Sequence, residues 1–188
     1  MSHMFFPKGK QLAIGLADGS GSVPSGTVKI AALRLDGSVT DTYAQTVTGA
    51  TAANPIVLTT ALGNVTTVGD RVVVSGVGGT LGANGTYRVS ARDATHVTLN
   101  TLTGVAAAGS GSYTSGGFAL NMTKLQYYAD IDGCVVGTPV ALSSLTFVDG
   151  VLGAANPTLT VPAGVVSGYV VYVDTGTPAT SPLIYFSD

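Results

Sequence analysis

All ten acidic residues of this chain are aspartate, and glutamate does not occur among its 188 residues. Glutamate is a good helix former, whereas aspartate competes for nearby backbone groups and favours caps and turns. Set among many valines, threonines and 26 glycines, this acid usage points to strands joined by tight turns.

The length suits one or two domains with a core that needs no staples. Hydrophobic residues make up 45% and charged residues 10%, so the chain has the apolar surface to fold that disordered chains lack. Net charge is -2 and the cations Lys8, Lys10, Lys29, Arg34, Arg71, Arg88, Arg92 and Lys124 are scattered. No basic run marks a nucleic-acid partner. No apolar stretch reaches the roughly 18–20 residues needed to span a bilayer, so no membrane partner is expected. Residues 1–16 lack the long apolar core and cleavage motif of a secretory signal. Ser2-His3-Met4 reads equally as native sequence or a cloning scar, and His3 carries no weight. The lone Cys134 excludes an intramolecular disulfide and a cysteine-based zinc cluster, and a buried, inert thiol is expected.

Residues 5–17 read as either a short helix or a first strand, and 18–26 as a loop. Residues 27–35 form a strand with Val28, Ile30 and Ala32 on one face and Lys29, Ala31 and Leu33 on the other. From about 48 to 117 the texture changes to short β-branched runs between Gly, Asp and Asn turns, the pattern of a small barrel or sandwich. Further strands are expected at 140–145, 158–161, 168–173 and 182–186.

The residues that invite chemistry have plainer readings. The glycine run 76–82 lacks the lysine and Ser/Thr of a phosphate loop and misses the Gly-x-Gly-x-x-Gly spacing, so it is read as a hairpin loop. Asp130 and Asp132 are read as turn formers, because a calcium loop needs more oxygen ligands and its bidentate Glu. His96 has no metal-ligand partner in sequence, and no Gly-x-Ser-x-Gly elbow accompanies it. No catalytic, cofactor-binding or metal residue is assigned, no cofactor is expected, and an enzyme is not. Tyr127, Tyr128, Tyr169, Tyr172 and Tyr185 are the candidate partner-interface residues. Tyrosine joins apolar area to a polar tip. Core packing and an interface stand as equal readings of these five.

Three spaced segments resemble a small virion protein of tailed phages. They are Thr27-Val28-Lys29-Ile30-Ala31-Ala32-Leu33, then Tyr127-Tyr128-Ala129-Asp130-Ile131, then Val170-Val171-Tyr172-Val173-Asp174-Thr175-Gly176-Thr177 leading to Leu183-Ile184-Tyr185-Phe186. The resemblance covers about 5–46 and 119–188, departing at the glycine-rich loop 18–26. The middle is similar to a small β-barrel module of phage tail and head proteins, itself like the first catalytic-cysteine half-domain of ubiquitin-activating enzymes. It rests on Asn54-Pro55-Ile56-Val57, Gly69-Asp70-Arg71-Val72, Gly85-Thr86-Tyr87 and 93–99. The segment has no cysteine, so no ubiquitin chemistry follows.

The resemblances imply a mainly β protein. A discontinuous β-sandwich-like anchoring domain, 1–47 and 118–188, would be interrupted by an inserted β-barrel, 48–117. They imply a capsid decoration (cement) protein on the outer surface of the virion head, with the major capsid protein as partner and self-association, for example as a trimer. The alternative is a tail, baseplate or fibre-associated protein whose inserted module contacts host glycan or protein.

Overall fold

β-branched runs cut by glycine and aspartate corners become strands throughout the structure, a computed structural model describing residues 3–5, 25–144, 146–148, 151–153, 155, 158–161 and 166–187. The strands are β1 (His3–Phe5), β2 (Thr27–Leu33), β3 (Ala44–Ala50), β4 (Val57–Thr60), β5 (Arg71–Ser75), β6 (Gly85–Arg92) and β7 (His96–Asn100). They continue as β8 (Phe118–Asn121), β9 (Val135–Ala141), β10 (Thr146–Val148), β11 (Val151–Gly153), β12 (Gly168–Asp174) and β13 (Leu183–Ser187). Helical structure among the described residues is confined to short 3-10 turns. The fold is mainly β.

Contacts divide the chain into two compact units, Leu35–Leu125 and Met1–Arg34 with Gln126–Asp188. In the first, six strands close into an antiparallel barrel in the order β3-β4-β7-β6-β5-β8, with β8 returning to β3. Alternation sets its interior. Leu58 on β4, Val72 and Val74 on β5, Val89 on β6, and Val97 and Leu99 on β7 are buried together with Val47, Ile56 and Leu62. Both flanks of the texture change take part in closure. β3 begins before residue 48, and β8 lies after residue 117, hydrogen-bonded to β3 and β5. Composition marks the loop-rich middle, whereas hydrogen bonding also recruits the two strands beside it.

Corners follow the expected chemistry. Gly69 takes φ +95°, which glycine alone adopts easily. Asp70 then folds back, accepting bonds from Thr67 N (2.9 Å) and Thr67 Oγ1 (2.9 Å). Asp93 accepts from Thr95 N and His96 N, each at 2.8 Å, and so turns β6 into β7.

The second unit holds a five-stranded antiparallel sheet, β1-β13-β12-β2-β9. The strands β10 and β11 form a separate antiparallel ribbon. On one sheet face Val171, Val173 and Ile184 pack with Val28, Ile30, Leu142 and Tyr185. The pairing of β12 with β13 slips between Val171 and Tyr172. Such a bulge redirects side chains, and here Ile184 joins Tyr185 on that face. β2 keeps the expected two-face division, since Ile30 and Val28 lie opposite Val171 and Val173 in register.

Some strand expectations shift. The segment 158–161 forms no strand. The strand expected at 140–145 runs instead over Val135–Ala141, where it pairs with β2. The helix-or-strand segment 5–17 lies, apart from Phe5 in β1, outside the described residues.

A tyrosine-bearing sheet as candidate functional site

The five candidate tyrosines all belong to the unit with the open sheet, and four of them form two pairs. Tyr172 sits on the central strand, 3% exposed. Its ring stacks on Tyr128, with centroids 4.3 Å apart and planes at 19°. Tyr128 opens a 3-10 turn, Tyr128–Asp130, whose position is set by hydrogen bonds. Asp130 Oδ2 accepts from Gln126 N and Tyr127 N at 2.8 Å each. Backbone bonds Tyr128 N to Ser181 O (2.8 Å) and Leu183 N to Gln126 O (2.9 Å) stitch this segment to the start of β13. Asp130 is thus a turn former, its carboxylate occupied by backbone.

Tyr169 and Tyr185 form the second group, on the opposite sheet face. Their centroids lie 6.4 Å apart at 42°, and Tyr169 is 36% exposed. Tyr127 stands at the N-cap of the 3-10 turn and bridges to Pro182. The bulk on both faces of 169–173 follows from β12 being flanked by β13 and β2.

Charge gathers on the Tyr172 face. In register Lys29 lies opposite Tyr172, and Lys29 Nζ is 2.5 Å from Asp174 Oδ2. The Lys29 hydrogen bond and the Gly176 N–H hold the Asp174 carboxyl below the usual aspartate range. Burial, followed by Tyr128 and the Asp174 charge, pushes the Tyr172 hydroxyl well above the ordinary tyrosine value. Tyr128 is also raised, by burial and the Asp132 charge, while its hydrogen bond with Tyr172 pulls the other way. The sequence offered a weak signal for the ion pair: alternation puts Asp174 on the face of Tyr172, but its lysine lies 145 residues earlier (174 − 29).

The other chemistry-bearing residues have structural employment. The glycine run is the connection between antiparallel β5 and β6. Asn84 ties it together, accepting from Val77 N and donating to Val77 O, both at 2.9 Å. His96 Nδ1 lies 3.0 Å from Asp93 Oδ2 within its turn. Cys134 is buried. Among the described residues no group of three or more His, Cys, Asp or Glu side chains is arranged to hold a metal, and no helix is long and apolar enough to cross a membrane. No protein-family model matches the chain, and no curated protein matches it.

Proposed function

We propose that this chain is a non-enzymatic structural protein of a bacteriophage particle, binding the outer surface of the capsid as a decoration or cement protein. The observation that carries the reading is the convergence of its virion-like segments. Residues 27–33, 170–174 and 183–186 are far apart in sequence yet lie on adjacent strands, β2, β12 and β13. The Tyr127-Tyr128-Ala129-Asp130-Ile131 segment is hydrogen-bonded to the start of β13. A motif set scattered over a chain gains meaning when it forms one continuous substructure.

In this reading the sheet unit is a sandwich-like anchor and the barrel an insertion displayed by it. Insertion at a loop costs little when the ends lie close together. The anchor grips the major capsid protein through apolar and tyrosine surface, with the 36% exposed Tyr169 contributing. A standard interface buries about 1,600 Å². Binding across neighbouring subunits stabilises the assembled shell over its separated parts, and repetition over the lattice, or self-association, adds avidity.

The test is direct imaging after mixing the purified chain with empty capsids and, separately, with isolated tails. Regular density on shells is expected, and Tyr169→Asp should weaken it. Labelling of tails alone would overturn the decoration reading in favour of a tail, baseplate or fibre-associated role.

A further inference from the structure

We infer that the outer wall of the barrel carries a carboxylate-binding site built from Arg71 and Arg88, suited to an acidic side chain of a protein partner. The register puts the two arginines directly opposite each other on neighbouring strands. Their neighbours Val72 and Val89 point into the barrel, so alternation turns both arginines outward. Like charges placed opposite in a sheet repel. Neither arginine is ion-paired with a carboxylate among the described residues, where the pairs are Lys29–Asp174, Asp93–His96 and Asp70–Lys124.

The neighbouring anion offers no relief. Asp70 precedes Arg71 in sequence, but its carboxylate is buried and taken by Thr67, by Asn121 Nδ2 (2.9 Å) and by Lys124 at 3.7 Å. The remaining barrel arginine, Arg92, donates to Gly63 O (3.2 Å). Arg71 Nε is buried without a hydrogen-bond partner. Packing therefore restrains the Arg71 stem, while Arg88 is exposed. A restrained guanidinium loses less freedom on binding, and its fork matches a carboxylate in bidentate fashion. The row continues across β7 with Asn100, opposite Arg88.

The size of the site selects its ligand. Two forks suit one or two carboxylates. A nucleic acid or a long polyanionic sugar needs a cationic stripe, and the barrel's other cations are engaged as described. The inference deepens the proposed reading by giving the displayed barrel a ligand class, and its test contains no capsid. Failure of shell binding and failure of this site are therefore read in separate experiments.

The experiment is calorimetric titration of the whole chain with a short oligoglutamate peptide, with inorganic phosphate and an oligouronate in parallel. Saturable peptide binding is expected. Arg71→Gln and Arg88→Gln should each weaken it by about tenfold or more, and Arg92→Gln should leave it unchanged. Arg88→Lys should also weaken it, because lysine keeps the charge and loses the fork. Circular dichroism of Arg88→Gln, an exposed position, checks that the barrel remains folded. The inference is overturned by no saturable peptide binding, by equal losses in Arg92→Gln and Arg88→Gln, or by full binding in Arg88→Lys. Tighter binding of phosphate or oligouronate through the same arginines overturns the acidic-peptide assignment.

Discussion

The barrel and the sheet handle the edges of β-structure in different ways. The barrel removes them: each of its six strands has a hydrogen-bonded neighbour on both sides, and the apolar residues from those strands point to one interior. Among the described residues the sheet ends at β1 and β9. At one end β9 carries Gly137 with φ +72° and Pro139, in the stretch where its pairing to β2 lapses between Val136 and Val140. Proline and an irregular ladder are common ways of blunting an edge against further pairing. The barrel is also built from one continuous stretch, whereas the sheet joins β2 to strands more than 100 residues later. Closure gives local self-sufficiency; an open sheet must be completed by distant chain.

The largest test of that contrast is Leu58→Ala. Leu58 is 1% exposed in the barrel interior, and loss of such a side chain costs about 2–5 kcal/mol from lost transfer and the cavity left behind. Hydrogen exchange should show the β4, β6 and β7 amides losing protection first, with β12 amides following less. Equal loss in β12 would break the picture of a self-sufficient barrel. Next in size is Asp70→Ala. The buried carboxylate accepts from Thr67 N, Thr67 Oγ1 and the buried Asn121 Nδ2, and leaving a buried donor short of a partner costs about 1–3 kcal/mol. Denaturant unfolding followed at Tyr87 would measure it. A loss within a few tenths of zero would mean that water replaces the carboxylate freely.

The sheet should be the more sensitive unit at high pH. Its Tyr172 and Tyr128 hydroxyls are held above the ordinary value of 10.0. A raised folded-state value means that their contribution is fully present below 10.0 and is lost as pH rises through the folded value. Phenolate absorbance should therefore appear late for these two, in step with loss of sheet structure. Tyr172→Phe should remove part of the alkaline sensitivity, at a cost near neutral pH of about 0.5–1.5 kcal/mol for the lost hydrogen bond. An unchanged alkaline profile would assign the effect elsewhere, for instance to Tyr87 of the barrel, which burial also raises.

The barrel strands were more legible in sequence than the sheet. Val72, Val73 and Val74 after Gly69-Asp70, and Val97 and Leu99 after the Asp93 turn, announce strand and corner through nearest-neighbour chemistry alone. β12 was legible for the same reason, as a β-branched and aromatic run. Less legible was β9, whose Gly137 and Pro139 read as breakers until β2 supplies a ladder on one side. Closure of the barrel was hidden too, because β8 is the short run Phe118-Ala119-Leu120-Asn121, and nothing local says that it bonds to both β3 and β5. The candidate tyrosines were visible by type, but their division into a stacked pair and a tilted pair on opposite faces depends on register and on the β13 bulge. The opposed arginines were likewise invisible, since their meeting is a property of pairing between strands.

The smallest effect expected is at Lys29. Its ammonium bonds Asp174 with both side chains partly exposed, 30% and 25%, and such pairs contribute about 0–1 kcal/mol and are screened by salt. Lys29→Met keeps much of the stem that packs along the sheet and removes the charge, so stability at neutral pH should change little. Acid is where the two proteins should differ. The Asp174 carboxyl is lowered, first by its bond to Lys29 and next by the Gly176 N–H. A lowered folded-state value means that its contribution is present above the ordinary 3.8 and disappears as pH falls through the folded value. The unaltered sheet should thus lose this increment between 3.8 and more acidic pH, and Lys29→Met should show a shallower acid slope. The Gly176 contribution survives in the variant, so the slope should shrink without vanishing. Identical acid slopes in β12 exchange would mean that the ion pair adds nothing to the sheet, leaving the backbone ladder and apolar packing to hold β2 against β12.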